Sequence, residues 1–170
     1  MALLRRGSAQ RMARRARNEY GSSMDVSLKF LVPSHPRFLC VVRAAVGELG
    51  LVFGLSDEAC RGIMLAVDEA MTNVIRHAYH GDFERAFEVH VQSFADRLEF
   101  TLLDQGDAPD PARLAPHELD DVALGGRGTH IIRTVMDEVC YDRVPGGNRL
   151  RLTKHLPAAG TGPQGEGKEI

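Results

Sequence analysis

The sequence predicts an α+β two-layer sandwich, with helices on one face of a mixed, mostly antiparallel sheet. Three observations lead to that class. Phe87, Val89 and Val91 alternate with Glu88, His90 and Gln92; after a turn at Ala95–Asp96, Leu98, Phe100 and Leu102 alternate with Arg97, Glu99 and Thr101. That period of two marks a half-buried hairpin. Two stretches ahead of it carry apolar residues at three-to-four-residue spacing, the period of amphipathic helices. Finally, the element order β-α-α-β-β-loop-α-β-β groups like elements together, whereas a doubly wound nucleotide fold alternates strand and helix throughout.

Each element has a local cause. Val26–Val32 alternates as a first strand and is stopped by Pro33. Ser34 is placed to cap a helix with Pro36 in its first turn, and Leu39, Val42, Val46 and Leu49 form its apolar stripe, with Gly50 as the exit. A second helix starts at Ser56, where Asp57 and Glu58 meet the positive end of the helix dipole. Its core stripe is Cys60, Ile63, Val67, Ala70, Val74 and Ala78, and Gly81 ends it. Asp104 to Gly128 is a polar loop with three prolines and four glycines, of the length that marks functional or disordered segments. A third helix at about 127–136 and strands at about 138–144 and 148–156 close the unit, the strands flanking a Pro145-Gly146-Gly147-Asn148 turn.

Composition narrows the class of function. The chain has 170 residues, a net charge of −2 and 26% charged residues, so it is not a uniformly basic nucleic-acid binder. No apolar run reaches membrane-spanning length. Three scattered cysteines, Cys40, Cys60 and Cys140, make neither a disulfide scaffold nor a zinc ribbon and fit a reducing cytoplasm. Residues 1–20 hold six arginines against one acid, Glu19. This basic leader, 1–24, reads as a disordered extension or an upstream start ahead of Met24; a transit peptide or a nucleic-acid arm is the rival reading. Residues 157–170 are rich in Gly and Pro and read as a disordered tail, leaving a folded domain at 25–156.

Three motifs carry the chemistry. On the second helix, Glu69, Asn73 and His77 follow at i, i+4 and i+8, drifting only about 40° per step and forming one polar stripe. A neutral amide oxygen such as that of Asn73 can hold Mg²⁺ without adding charge, and a carboxylate one turn away can deprotonate a hydroxyl. At the end of the strand Leu98–Leu103 stands Asp104-Gln105-Gly106: a carboxylate able to accept from an exocyclic amine, beside a glycine that admits a flat ring. Gly125-Gly126-Arg127-Gly128-Thr129 opens the third helix, where free N–H groups and the dipole favour phosphate. Taken singly, these are also a solvated helix face, a turn after a strand and an exposed arginine. Neither GxxxxGK[ST] nor GxGxxG after a first strand occurs.

Taken together and in this order, the motifs resemble the N, G1 and G2 boxes of the Bergerat-fold (GHKL) ATPases. The segments Glu69–His77, Gly125–Val139 and Asn148–Leu156 are similar to the anti-sigma-factor serine/threonine kinases within that superfamily. The resemblance implies Glu69 as catalytic base and Asn73 as Mg²⁺ ligand, with Asp104 reading adenine and Gly106 lying against it. It further implies that Gly126 and Gly128 frame an ATP lid and that Thr153 reaches adenine through water; Arg127 and Thr129, at the helix start, and His77, on the polar stripe, are candidate contacts to the nucleotide from their positions. Arg127 departs from the apolar residue more usual at its position. The implied cofactors are ATP and Mg²⁺. The implied partners are a small anti-sigma-factor antagonist and a sigma factor, in a homodimer joined through the first strand and first helix, with no direct nucleic-acid or membrane contact. The chain length leaves no room for a phosphoacceptor helix pair or a transducer domain. The alternative is a non-catalytic ATP-binding module that sequesters a partner. His77 and His80 with Asp82 read as polar surface rather than as a metal site.

Overall fold

The computed structural model describes residues 25–108 and 127–157. The basic leader, Gly126 and the tail beyond Pro157 lie outside the described residues.

Strand β1 spans Ser27–Pro33, one residue later than the alternation predicts. It keeps Pro33 because β1 is an edge strand, where a missing N–H costs no ladder bond. Ser34 is not the helix cap: it is fully buried and its N–H donates to Arg85 O at 2.8 Å. His35 caps instead, its Nδ1 accepting from Arg37 N at 3.3 Å. A 3₁₀ turn at Pro36–Phe38 then leads into helix α1, Leu39–Val52.

Helix α1 runs through Gly50, and the left-handed Gly54 (φ +79°) turns the chain after it. Helix α2 covers Asp57–Asn73, capped as expected by Ser56, whose Oγ accepts from Ala59 N at 3.1 Å. Gly50 serves the contact between these helices: a Cβ there would stand 2.7 Å from Cys60 Sγ. Beyond Asn73 the coil widens into a π-helical turn, Val74–Ala78. His80 (φ 52°) and Gly81 (φ +80°), both left-handed, then end the element.

Strands β2 (Ala86–Ser93) and β3 (Arg97–Asp104) form the expected hairpin. Helix α3 is Arg127–Val135, and strands β4 (Glu138–Val144) and β5 (Gly147–His155) close the fold. The sheet order is β1-β2-β3-β5-β4, and every neighbouring pair is antiparallel. The largely antiparallel expectation therefore holds, and the parallel pair that a mixed sheet allows does not occur among these strands. The reason is topological. The α3 crossover leaves β3 and β4 running the same way, but β5 is inserted between them and pairs antiparallel with both.

Val46, Ile63, Val67 and Met71 from the helices share one core with Phe87, Val89, Val91, Phe100, Leu102 and Leu152 from the sheet. Each of those side chains is buried to 1% exposure or less, so removing one costs about 2–5 kcal/mol. This two-layer core fixes α2 against the sheet and so places the polar end of α2 beside the end of β3.

Candidate nucleotide site

Glu69 and Asn73 are half-buried on the last turns of α2. They face the first turn of α3: a Cβ on Gly128 would lie 2.7 Å from Glu69 Oε2 and 3.7 Å from Asn73 Oδ1. Two oxygens 55 or more residues away in sequence thus lie beside one glycine, where a Cβ would be in ordinary contact with Asn73 but would push the Glu69 carboxylate aside. The first N–H groups of a helix have no partner within it and carry its positive end, so the Glu69 carboxylate sits where the field favours an anion. Thr129 is half-buried in the same turn. Arg127 opens α3, and its side chain lies outside the described residues, as does Gly126.

His77 lies past the α-helical part of the element, on the π-helical turn, and is exposed, whereas Glu69 and Asn73 are half-buried.

The second motif closes at the end of β3. Gly106 N donates to Asp104 Oδ1 at 2.8 Å, a tight side-chain turn. The glycine at 106 is required by contact: a Cβ would stand 2.4 Å from the carbonyl oxygen of Ala78, at the end of the π-helical turn. Asp107 N donates to that same carbonyl at 3.1 Å, and Asp107 Oδ2 pairs with His80 Nε2 at 2.9 Å. The Asp104 turn is thereby fastened to the end of the α2 segment. Tyr79 braces it from below, its hydroxyl donating to Ala86 O at 2.8 Å and accepting from Gln105 N at 3.2 Å. Arg85 stacks on the Tyr79 ring, 4.0 Å from its centroid, and donates to Gln105 O at 2.7 Å. Burial first, and then the charge of Asp104, raises the Tyr79 phenol above its ordinary pKa; the same two causes raise Tyr141.

Thr153 is not brought to this site. It lies five residues along β5 from Asn148, which pairs with Asp104; at about 3.3 Å per residue that is some 16 Å away. Its parity also differs. Leu150 and Leu152 face the helices, so Thr153 points to the opposite side of the sheet. The residue that does meet Asp104 is Asn148, 1% exposed, whose Nδ2 donates to Asp104 Oδ1 at 2.8 Å. Sequence reasoning passed over it as part of a turn. The signal was the register: the strand that follows the 145–146 turn starts at the end of the sheet where β3 finishes.

Among the described residues, no group of three or more His, Cys, Asp or Glu could hold a metal ion by protein ligands alone, and no helix is long and apolar enough to cross a membrane. The oxygens that converge here are one carboxylate and one neutral amide, a set that fits a hard cation only if phosphates and waters complete its shell.

The histidine kinase-like ATPase domain family matches residues 32–154. A serine-protein kinase RsbW of Bacillus licheniformis is 32% identical over 132 residues, 73% of this chain and 82% of the relative. The RsbW serine-protein kinase of Bacillus subtilis is 29% identical over 137 residues, 76% of this chain and 85% of the relative. Among solved structures, the RsbU and RsbW domains of a Mycobacterium tuberculosis protein superpose with a TM-score of 0.57 at 17% identity, covering 77% of this chain and 32% of that one, a likeness of fold. The two-layer architecture, the Glu69–Asn73–Gly128 contact and these matches agree: the chain belongs to the histidine kinase-like ATPase domain family, on its RsbW serine-protein kinase branch.

Proposed function

We propose that this protein is an ATP-dependent serine/threonine protein kinase and anti-sigma factor, which phosphorylates a small antagonist protein and sequesters a sigma factor. The observation that carries the reading is the placement of Gly128 against Glu69 Oε2 and Asn73 Oδ1. It puts a carboxylate, a neutral amide oxygen and a helix N-terminus at one point. Phosphoryl transfer asks for little more than such positioning and charge.

In this reading Asp104 accepts from the exocyclic amine of adenine, and the backbone at Gly106 leaves room for the ring. The phosphates lie toward the first turn of α3, where Gly128 and Thr129 supply N–H groups, and the reading adds Gly126 and Arg127 as phosphate contacts. Asn73 would hold Mg²⁺, which when bound neutralises phosphate charge. Glu69 takes the proton of a serine hydroxyl on the antagonist as its oxygen forms a bond to the γ-phosphorus, and the bond to the β,γ-bridging oxygen breaks to release ADP. The RsbW names of the relatives support the serine acceptor.

The reading extends to a folded unit at 25–156 between a basic leader and a tail, acting in the cytoplasm as a homodimer. Leu31 on β1 (72% exposed) and Val41 on α1 (58% exposed) are apolar side chains that such a dimer would cover. The test is transfer of labelled phosphate from ATP to a purified antagonist domain. Wild type should label a serine, and Glu69→Ala should bind ATP yet label nothing. Full labelling by Glu69→Ala would remove Glu69 as the base, and ATP binding without labelling by wild type would leave only a non-catalytic switch.

A further inference from the structure

The Asn148 side chain uses both of its ends. Nδ2 donates to Asp104 Oδ1 at 2.8 Å and to the carbonyls of Gly106 at 3.2 Å and Asp107 at 3.1 Å. Oδ1 accepts from Arg143 Nη1 at 2.6 Å and from the Tyr141 hydroxyl. These partners settle which end is which. Three acceptors face the amide nitrogen, and a guanidinium, which only donates, faces the oxygen.

The consequence falls on Asp104. Both of its bonds, from Gly106 N and from Asn148 Nδ2, land on Oδ1. Among the described residues no hydrogen bond reaches Oδ2. A carboxylate tied by one oxygen has a fixed rotamer and presents the other as a bare acceptor. A site built around such an acceptor rejects a ligand that brings a second acceptor to it, because two lone pairs then face each other.

Resting on the ATP reading above, we propose that Asn148 is a positioning residue that sets base specificity. It pins Asp104 by Oδ1 so that Oδ2 selects a purine with a 6-amino donor over one with a 6-oxo acceptor. Arg143 and Tyr141, reaching across the β4–β5 hairpin, hold the amide in the orientation this requires. The edge strand β4, which carries none of the recognised motifs, thereby takes part in reading the base.

The test is calorimetric binding of ATP and of inosine triphosphate, which differs at that 6-position. Wild type should prefer ATP, and Asn148→Ala should reduce the ATP-to-ITP preference about tenfold, by weakening ATP while ITP changes little. Because a buried substitution can compromise folding, Arg143→Met is the second variant. It acts from an exposed side chain and should lower the same ratio in part, with Arg143→Lys restoring it. An unchanged ratio in both Asn148→Ala and Arg143→Met, including an equal loss for the two nucleotides, overturns the role of Asn148 alone. A wild type that binds neither nucleotide overturns the ATP reading itself.

Discussion

Gly128 lies on the carboxylate of Glu69, with the place of its missing Cβ 2.7 Å from Glu69 Oε2. The contact joins the first turn of α3 to the last turns of α2, and it is the point at which two motifs distant in sequence become one site. A Cβ inserted there meets the end of a movable side chain rather than backbone. Gly128→Ala should therefore fold with stability within about 1 kcal/mol of wild type, since alanine also favours a helix. It should lose at least about tenfold in phosphate transfer, because a carboxylate pushed from its place no longer meets the hydroxyl. Thermal denaturation beside a labelled-ATP assay separates the two effects.

Gly106 is the opposite case. Its neighbours are the backbone oxygen and carbon of Ala78, 2.4 and 2.6 Å from an added Cβ, and neither can swing aside. Gly106→Ala should cost about 1–3 kcal/mol in urea denaturation and also abolish ATP binding, because the Asp104 turn must move to make room.

Burial, with help from the Asp57 charge, pushes the Cys60 thiol from its usual 9.0 to about 11. The folded value exceeds the unfolded one, so the unfolded chain gives up its proton first as pH rises. The contribution is fully present below pH 9 and is lost through pH 11. It is worth about 3 kcal/mol. Urea midpoints taken across that window should fall more steeply in wild type than in Cys60→Ala. Below pH 9, a thiol reagent should label the exposed Cys40 in the native protein and reach Cys60 only after unfolding.

Ser56→Ala supplies a control remote from the site. Loss of the Oγ bond to Ala59 N should cost about 1 kcal/mol of stability while ATP affinity is unchanged.

Much of this was legible in the sequence, for identifiable reasons. The hairpin of β2 and β3 alternates cleanly because one face packs on helices, and Ser56 caps α2 through a bond to Ala59 N within its own first turn. The start of α3 at Arg127 and the span of β4 follow the sequence pattern closely. The misreadings fall where tertiary contact overrides a local rule. Ser34 has the chemistry of a cap, but β1 pairing buries it and passes the task to His35. Gly50 looks like a helix exit and instead lets Cys60 approach. Nothing local announces the π-helical turn that carries His77. Thr153 is expected at the adenine from the family resemblance alone. Strand register and parity, which need the whole sheet, give its place to Asn148.

The claim on which the rest depends is that Asp104 reads a bound adenine. Asp104→Asn tests it most directly, because asparagine keeps the shape and can still accept from Gly106 N and Asn148 Nδ2 through Oδ1. It then turns a donor toward the base where Oδ2 was an acceptor. The measurement is calorimetric titration of Mg·ATP into wild type and Asp104→Asn, with matched thermal unfolding to show that both are folded. The account predicts binding by wild type and a loss of about a hundredfold or more in the variant. Equal affinity in two folded proteins would contradict it.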